Sequence, residues 1–409
     1  MTEHAIVVGL GFGDEGKGAV VDALCAAAPV TAVVRFNGGA QAAHNVVADG
    51  KHHTFSQYGS GTLAGVPTHL SRHVLVEPLA LATETRELTT LGVPDPLTLL
   101  TVHEDALLTT PLHIAANRAR EDARGDNRHG SCGKGIGETV WYSLLTGHAP
   151  GDTVEHQQVL GTPGEAPTVG DCRNPTVLRR KLDALARFYE PLIGTGTQVD
   201  DLIHLYTAFA DAVRIVTDDH LNHLADTGRL VFEGAQGVLL DETHGFHPHT
   251  TWSTTTPRNA RTLLAGRPAR VIGVTRTYHT RHGAGPFPTE DNTLPHQERH
   301  NGTGTYQGGW RTGHLDAVLF RHALTHARPD ALAITHRDTP PTHIATAYRT
   351  PTTRTTTLPS HDRTHFLTHC TPELEPFPHD WFDRQGLPID IEGHGPDRTS
   401  YTVRTPTPA

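Results

Sequence analysis

The chain has 409 residues, enough for one large core or for two to three ordinary domains. Its 34 Lys and Arg against 44 Asp and Glu give a net charge of −10 with no basic block, which sets nucleic acid aside as a partner. No run reaches the roughly 20 apolar residues of a membrane span and no signal-peptide pattern opens the chain, so neither a membrane nor export is expected and cytoplasm is the default.

The first expected element is the buried strand Ala5-Ile6-Val7-Val8, which leads into "VVGLGFGDEGKG" (7–18). Gly11, Gly13 and Gly16 make a G-x-G-x-x-G, the pattern of a dinucleotide fingerprint. A second strand, Thr31-Ala32-Val33-Val34, ends on Arg35, which would suit a 2′-phosphate and keeps an NADP reading open. Against it, Asp14 and Glu15 put carboxylates where a metal-free pyrophosphate would sit. The loop suits a phosphate that arrives with Mg²⁺: Asp14 faces the metal, Lys17 meets phosphate oxygens, and glycines free the N–H groups of a helix start. A glycine-rich turn with solvated charges is the plain alternative.

Further along, "NPTVLRRKLDALARFYEPLI" (174–193) and "DLIHLYTAFADAVRIVTDDHLNHLA" (201–225) carry apolar residues at three- and four-residue steps and read as helices. "RLVFEGAQG" (229–237), "ARVIGVTR" (269–276) and "ALAITHRD" (331–338) read as strands. Strands separated by helices predict an α/β fold with a large, mostly parallel sheet covered on both faces. The Pro- and Thr-rich tract from Asp338 to Pro359 reads as a loop boundary. No linker cuts the chain, so residues 1–409 are expected to form one domain with helical and loop elaborations. The four cysteines are scattered and read as reduced thiols, and most of the 31 histidines read as surface composition without zinc-site spacing.

"GFGDEGKG" (11–18), "RFNGGAQAAHNV" (35–46), "FEGAQGVLLDETHG" (232–245), "TRHGAGPFPTE" (280–290) and "GHGPDRT" (393–399) occur in an order that resembles the adenylosuccinate synthetase family, from residue 5 to about residue 400. The resemblance implies a fold related to the P-loop NTPases and a GTP- and Mg²⁺-dependent ligase that assembles as a homodimer. Such enzymes phosphorylate the 6-oxo group of IMP, and aspartate then displaces phosphate. Asp14 matches the family's base and Mg²⁺ ligand, and Ala43 a backbone metal ligand. His44 matches its acid and Gln236 a contact to the reacting base. Gly13, Glu15, Gly16, Lys17 and Gly18 match the phosphate cradle, with Arg311 also assigned to the nucleotide. Thr335-His336-Arg337-Asp338 matches the guanine motif with its lysine lost, and Gly393-His394-Gly395 the other wall of that base site.

The departures concern the acceptor and the amine. In the loop for the IMP phosphate the chain has Ser131-Cys132-Gly133-Lys134-Gly135-Ile136-Gly137-Glu138, where a phosphate-binding threonine has become Cys132. Gln41 stands for the asparagine that faces IMP, Thr251 is retained, and Thr146 aligns with the arginine sent across the dimer interface. The aspartate loop, arginine-rich in the family, reads Thr305-Tyr306-Gln307-Gly308-Gly309-Trp310-Arg311, with Thr305, Gly309 and Trp310 assigned to substrate and only Arg311 surviving. Three readings follow: a GTP-dependent ligase with an altered acceptor and amine, an ordinary adenylosuccinate synthetase of purine biosynthesis, or a binding protein without turnover.

Overall fold

A computed structural model describes residues 3–196, 198–295 and 305–404. Ten strands form its main sheet: β1 (His4–Gly9), β2 (Ala32–Arg35), β3 (Thr68–Leu70), β4 (Leu100–His103), β5 (Arg214–Val216), β6 (Leu230–Gly237), β7 (Ala269–Arg276), β8 (Ala331–Thr335), β9 (Ile389–Gly393) and β10 (Tyr401–Val403). Their spatial order is β5-β4-β3-β2-β6-β1-β7-β8-β9-β10. Every neighbouring pair is parallel except the last, β9 with β10. The α/β architecture expected from the alternation of strands and helices is therefore the one found.

Burial on both faces explains the continuous apolar runs. Ala5 and Val7 of β1 pack with Val20, Val21 and Leu24 of helix α1 (Lys17–Ala27) on one side, and Ile6 and Val8 join Phe232, Leu332 and Phe320 on the other. β1 lies between β6 and β7, so the loop after it, the turn after β6 and the turn after β8 all emerge at the carboxyl edge of the sheet. That edge is where open parallel sheets hold ligands.

Two expectations about elements are corrected. The pattern 201–225 is two helices, Val199–Ala212 and Asp218–Thr227, separated by the edge strand β5. The apolar spacing carries through the break, but Val213-Arg214-Ile215-Val216 is β-branched at three of four positions and gains more by pairing with β4. The tract 338–359 is also structured: His343–Arg349 is a strand in a separate small sheet, with Ala345, Ala347 and Tyr348 buried. Its threonines suit a strand as well as a loop.

Candidate active site

The loop after β1 is built around a carboxylate of its own. Glu15 is buried, and its Oε1 accepts the N–H groups of Gly11 at 2.9 Å and Gly13 at 2.8 Å, while Lys17 Nζ donates to Oε2 at 2.5 Å. Gly9 and Gly237 must be glycine, since a Cβ at either would lie 2.2 Å from a Glu15 oxygen. A dinucleotide pyrophosphate needs those same amides, and they are filled from within. Arg35 cannot rescue that reading either: it is 2 % exposed, donates to Tyr58 O at 3.0 Å and lies beneath the surface. What stays open is the start of α1, where Gly16 at φ +92° caps the helix with no side-chain bond and the first turn carries no acid. Such a terminus presents free N–H groups to an anion.

Asp14 leaves the loop in the left-handed region, φ +58°, which few non-glycine residues adopt without a compensating role. Burial would raise its carboxyl, but a bond from His282 Nε2 at 3.0 Å, with the Arg276 and Lys17 charges, holds it below the usual carboxylate range. Gly13, Asp14, Gln41, Ala43, Ser131, Cys132, Gln236 and Thr251, all expected at the site and spread over 239 positions of sequence, line one cavity of about 720 Å³. Gln236 is at φ +63°. Both amide atoms of Gln41 are buried without a hydrogen-bond partner, a state that costs about 1–3 kcal/mol per group unless a ligand completes it.

His44 stands just behind this cavity at the start of the strand His44–Ala48. Its Nδ1 donates to Glu233 Oε1 at 2.5 Å, and Glu233 also accepts Ser60 N–H at 2.9 Å and Ser60 Oγ at 2.5 Å. The bond fixes the tautomer and leaves Nε2 as the nitrogen that gains or loses a proton. Gly18 serves this packing: a Cβ there would lie 2.7 Å from His44 Cβ. Burial opposes the Glu233 charge, but Arg35, His44 and Ser60 outweigh it and bring its carboxyl down to about 2. The folded value lies below the ordinary 4.5, so this group adds stability that is complete above about pH 4.5 and lost as pH falls towards 2. Glu233→Gln is expected to cost about 3 kcal/mol at pH 7 and to flatten the loss of stability between pH 4.5 and 2. Urea unfolding of both proteins across that range measures it, and parallel curves would show that Glu233 carries no such charge.

Other expected residues lie apart from the cavity. Asp338 is exposed after β8, where Arg337 N–H donates to Gly393 O at 2.9 Å and Thr277 Oγ1 pins the turn through His336 O and Thr339 O at 2.9 and 2.8 Å. The turn and the Gly393-His394-Gly395 segment thus adjoin, and Gly393 admits no Cβ because the Tyr401 ring would be 2.6 Å away. Arg311 is committed elsewhere: its Nη1 donates to Gly283 O at 2.8 Å and Gly285 O at 3.0 Å, and its Nη2 to Glu290 at 2.5 Å. Thr305, Gly309 and Trp310 do not line the cavity, although Gln307 between them does.

Sequence reasoning passed over Glu233, His282 and Glu138. A glutamate inside the apolar run "RLVFEGAQG" was a signal, because a buried carboxylate needs partners. His282 was one histidine among 31. Glu138, 4 % exposed on the cavity wall, pairs with Arg120 at 2.8 Å and accepts from Tyr189 OH at 3.0 Å.

A glycine loop at the carboxyl end of a central parallel strand, feeding an uncapped helix and flanked by a polar cavity, defines a nucleotide-handling α/β enzyme. The chain matches the family description "Adenylosuccinate synthetase" over residues 6–384. It is 34 % identical over 355 residues to the adenylosuccinate synthetase of Marinomonas sp. (strain MWYL1), covering 83 % of this chain and 77 % of that one. The adenylosuccinate synthetase of Thioalkalivibrio sulfidiphilus (strain HL-EbGR7) is 36 % identical over 349 residues, covering 83 % and 78 %. Among solved structures, fully ligated adenylosuccinate synthetase from Plasmodium falciparum superposes with a TM-score of 0.80 at 21 % identity, covering 98 % of this chain and all of that one. Cyanophage S-2L succinoaminodeoxyadenylate synthetase, bound to dGMP and to dATP as an energy donor, gives 0.57 at 18 %, covering 100 % and 96 %. The chain belongs to the adenylosuccinate synthetase family, a family of GTP-dependent ligases. Among the described residues no helix is long and apolar enough to cross a membrane.

Proposed function

We propose that this enzyme phosphorylates an acceptor oxygen with GTP and lets an amine displace phosphate, and that its acceptor and amine are not the IMP and aspartate pair. Asp14 takes the proton from a ring nitrogen, so that the carbonyl oxygen gains the electron pair and attacks the γ-phosphoryl group as GDP leaves. The amine then adds at the activated carbon, phosphate departs with the oxygen, and a proton is lost from nitrogen. His44, oriented by Glu233, steadies charge on the transferring group through Nε2, and the open start of α1 receives the nucleotide phosphates. Mg²⁺ is held by one or two carboxylates together with substrate phosphates, so Asp14 and the Ala43 carbonyl are a fitting donor set. The bound ion would neutralise phosphate charge. Gln41, Gln236 and Thr251 contact the acceptor, and Asp338 selects guanine. A homodimer in the cytoplasm belongs to the same reading.

The observation that carries the altered pair is the fate of Arg311. A dicarboxylate calls for paired guanidinium forks, each charge-assisted contact being worth about 1.5–3 kcal/mol. The one arginine left in the matching loop spends its fork on Gly283, Gly285 and Glu290. The cyanophage enzyme of the same fold, with dGMP and dATP, holds a pair other than IMP and GTP. The second reading, ordinary adenylosuccinate synthesis, is favoured by the names of the relatives at 32–36 % identity. A steady-state assay with GTP, Mg²⁺, IMP and aspartate separates the two. The expected kcat/KM lies below about 10⁴ M⁻¹s⁻¹, and a value at or above it restores the ordinary reading.

A further inference from the structure

We propose that the acceptor is a lactam heterocycle without a phosphate, a nucleoside or free base, and that the cavity discriminates against the 5′-phosphorylated form. This rests on the ligase reading above and concerns what the cavity can hold. A phosphate monoester brings nearly two negative charges, and taking it out of water requires charge-assisted hydrogen bonds in return. The cavity has few to give.

Five carboxylates line it, Asp14, Glu121, Glu138, Glu155 and Glu242, against the two guanidiniums of Arg124 and Arg281 and no lysine among the described residues. Neither guanidinium is uncommitted. Arg124 Nη1 donates to Glu121 Oε1 at 2.5 Å, and Glu121 is 1 % exposed. Arg281, 2 % exposed, donates to Ala284 O at 3.1 Å, Pro286 O at 3.0 Å and His249 O at 3.4 Å while stacking on Phe12. The loop before α2 (Ile136–Ser143) would otherwise offer amides to an oxyanion. Glu121 Oε2 already takes two of them, Gly130 N–H at 3.2 Å and Ser131 N–H at 3.4 Å.

Five histidines line the cavity among the described residues. Burial and the Arg124 charge hold His129 below its ordinary range, burial does the same to His249 against its bond to the His129 carbonyl, and His282 Nε2 is already taken by Asp14 at 3.0 Å. Cys132 presents a weak thiol donor. The lining side chains with buried atoms that lack partners are Gln41 with both amide atoms, Gln157 Oε1 on the hairpin over the cavity, and His282 Nδ1, whose other ring nitrogen is taken by Asp14 at 3.0 Å. These suit the lactam edge of a heterocycle and the hydroxyls of a sugar. They do not suit a dianion.

Isothermal titration of the full chain at pH 7.5 with inosine and with IMP, each in the presence of Mg²⁺ and GDP, tests this. Inosine is expected to bind at least as tightly as IMP, and raising salt from about 0.05 to about 0.5 M should improve IMP relative to inosine by relieving repulsion. Glu138→Gln, nearly isosteric, removes one lining carboxylate and releases its Arg120 partner, so it should shift the ratio further towards IMP, by about tenfold. IMP binding tighter than inosine, and weakening with salt, overturns the inference and leaves the ligase reading intact. If neither binds, the inference is again overturned. If in addition no lactam stimulates GTP turnover, the ligase reading falls with it.

Discussion

Asp14→Asn is expected to lower turnover by about 10²–10⁴-fold with the fold intact, and His44→Asn by a similar factor. Asn keeps the volume of Asp14 and tolerates its left-handed backbone at φ +58° better than Ala would, so a loss of activity reports on chemistry and not on strain. The amide cannot accept a proton, and it is a weaker ligand for Mg²⁺. His44 depends on Glu233, which fixes the ring by its Nδ1–H at 2.5 Å and leaves Nε2 for the phosphoryl group. Asn at 44 places an amide near Glu233 with nothing at the Nε2 position. Single-turnover phosphate release, with thermal unfolding as a control for folding, measures both variants. Near-normal turnover in either would remove that residue from the mechanism.

Asp338→Asn should invert nucleotide preference. A carboxylate at this position accepts from guanine N1–H and the 2-amino group, whereas adenine presents neither donor together. Xanthine carries an oxygen in place of the 2-amino group, and the Asn amide can donate to it. With charge-assisted bonds worth about 1.5–3 kcal/mol each, the ratio of kcat/KM for GTP over XTP is expected to fall by about 10²–10³-fold. The pinning of the 335–339 turn by Thr277 does not depend on the Asp338 side chain, so the backbone should survive the change. An unchanged ratio would make Asp338 a turn residue only.

The strand-loop-helix unit from β1 to α1 was readable because everything that specifies it lies within 24 residues: an apolar run, glycines where φ is positive, and a helix pattern without a competing cap. Asp14, Gln41, Cys132, Gln236 and Thr251 were readable only through their motifs, and the cavity brings them together. The break at 213–216 was not readable, because the same apolar spacing serves two helices and an edge strand, and β4 supplies the partner that chooses between them. His282 escaped notice for a related reason, since nothing within "TRHGAGPFPTE" says that its Nε2 will meet Asp14.

By itself, then, the sequence determined the α/β class, the phosphate-type loop and the family's motifs, since these depend on periodicity and on short-range backbone demands. Which charges remain free to meet a ligand was decided by the tertiary structure alone. Glu15 fills the amides of its own loop, Glu233 claims His44 from 189 residues away, and Arg281, Arg311 and Arg124 are spent on carbonyls and carboxylates. A guanidinium or an amide looks the same in a sequence whether or not it is already paired. Its availability is set by neighbours that only folding brings within hydrogen-bond distance.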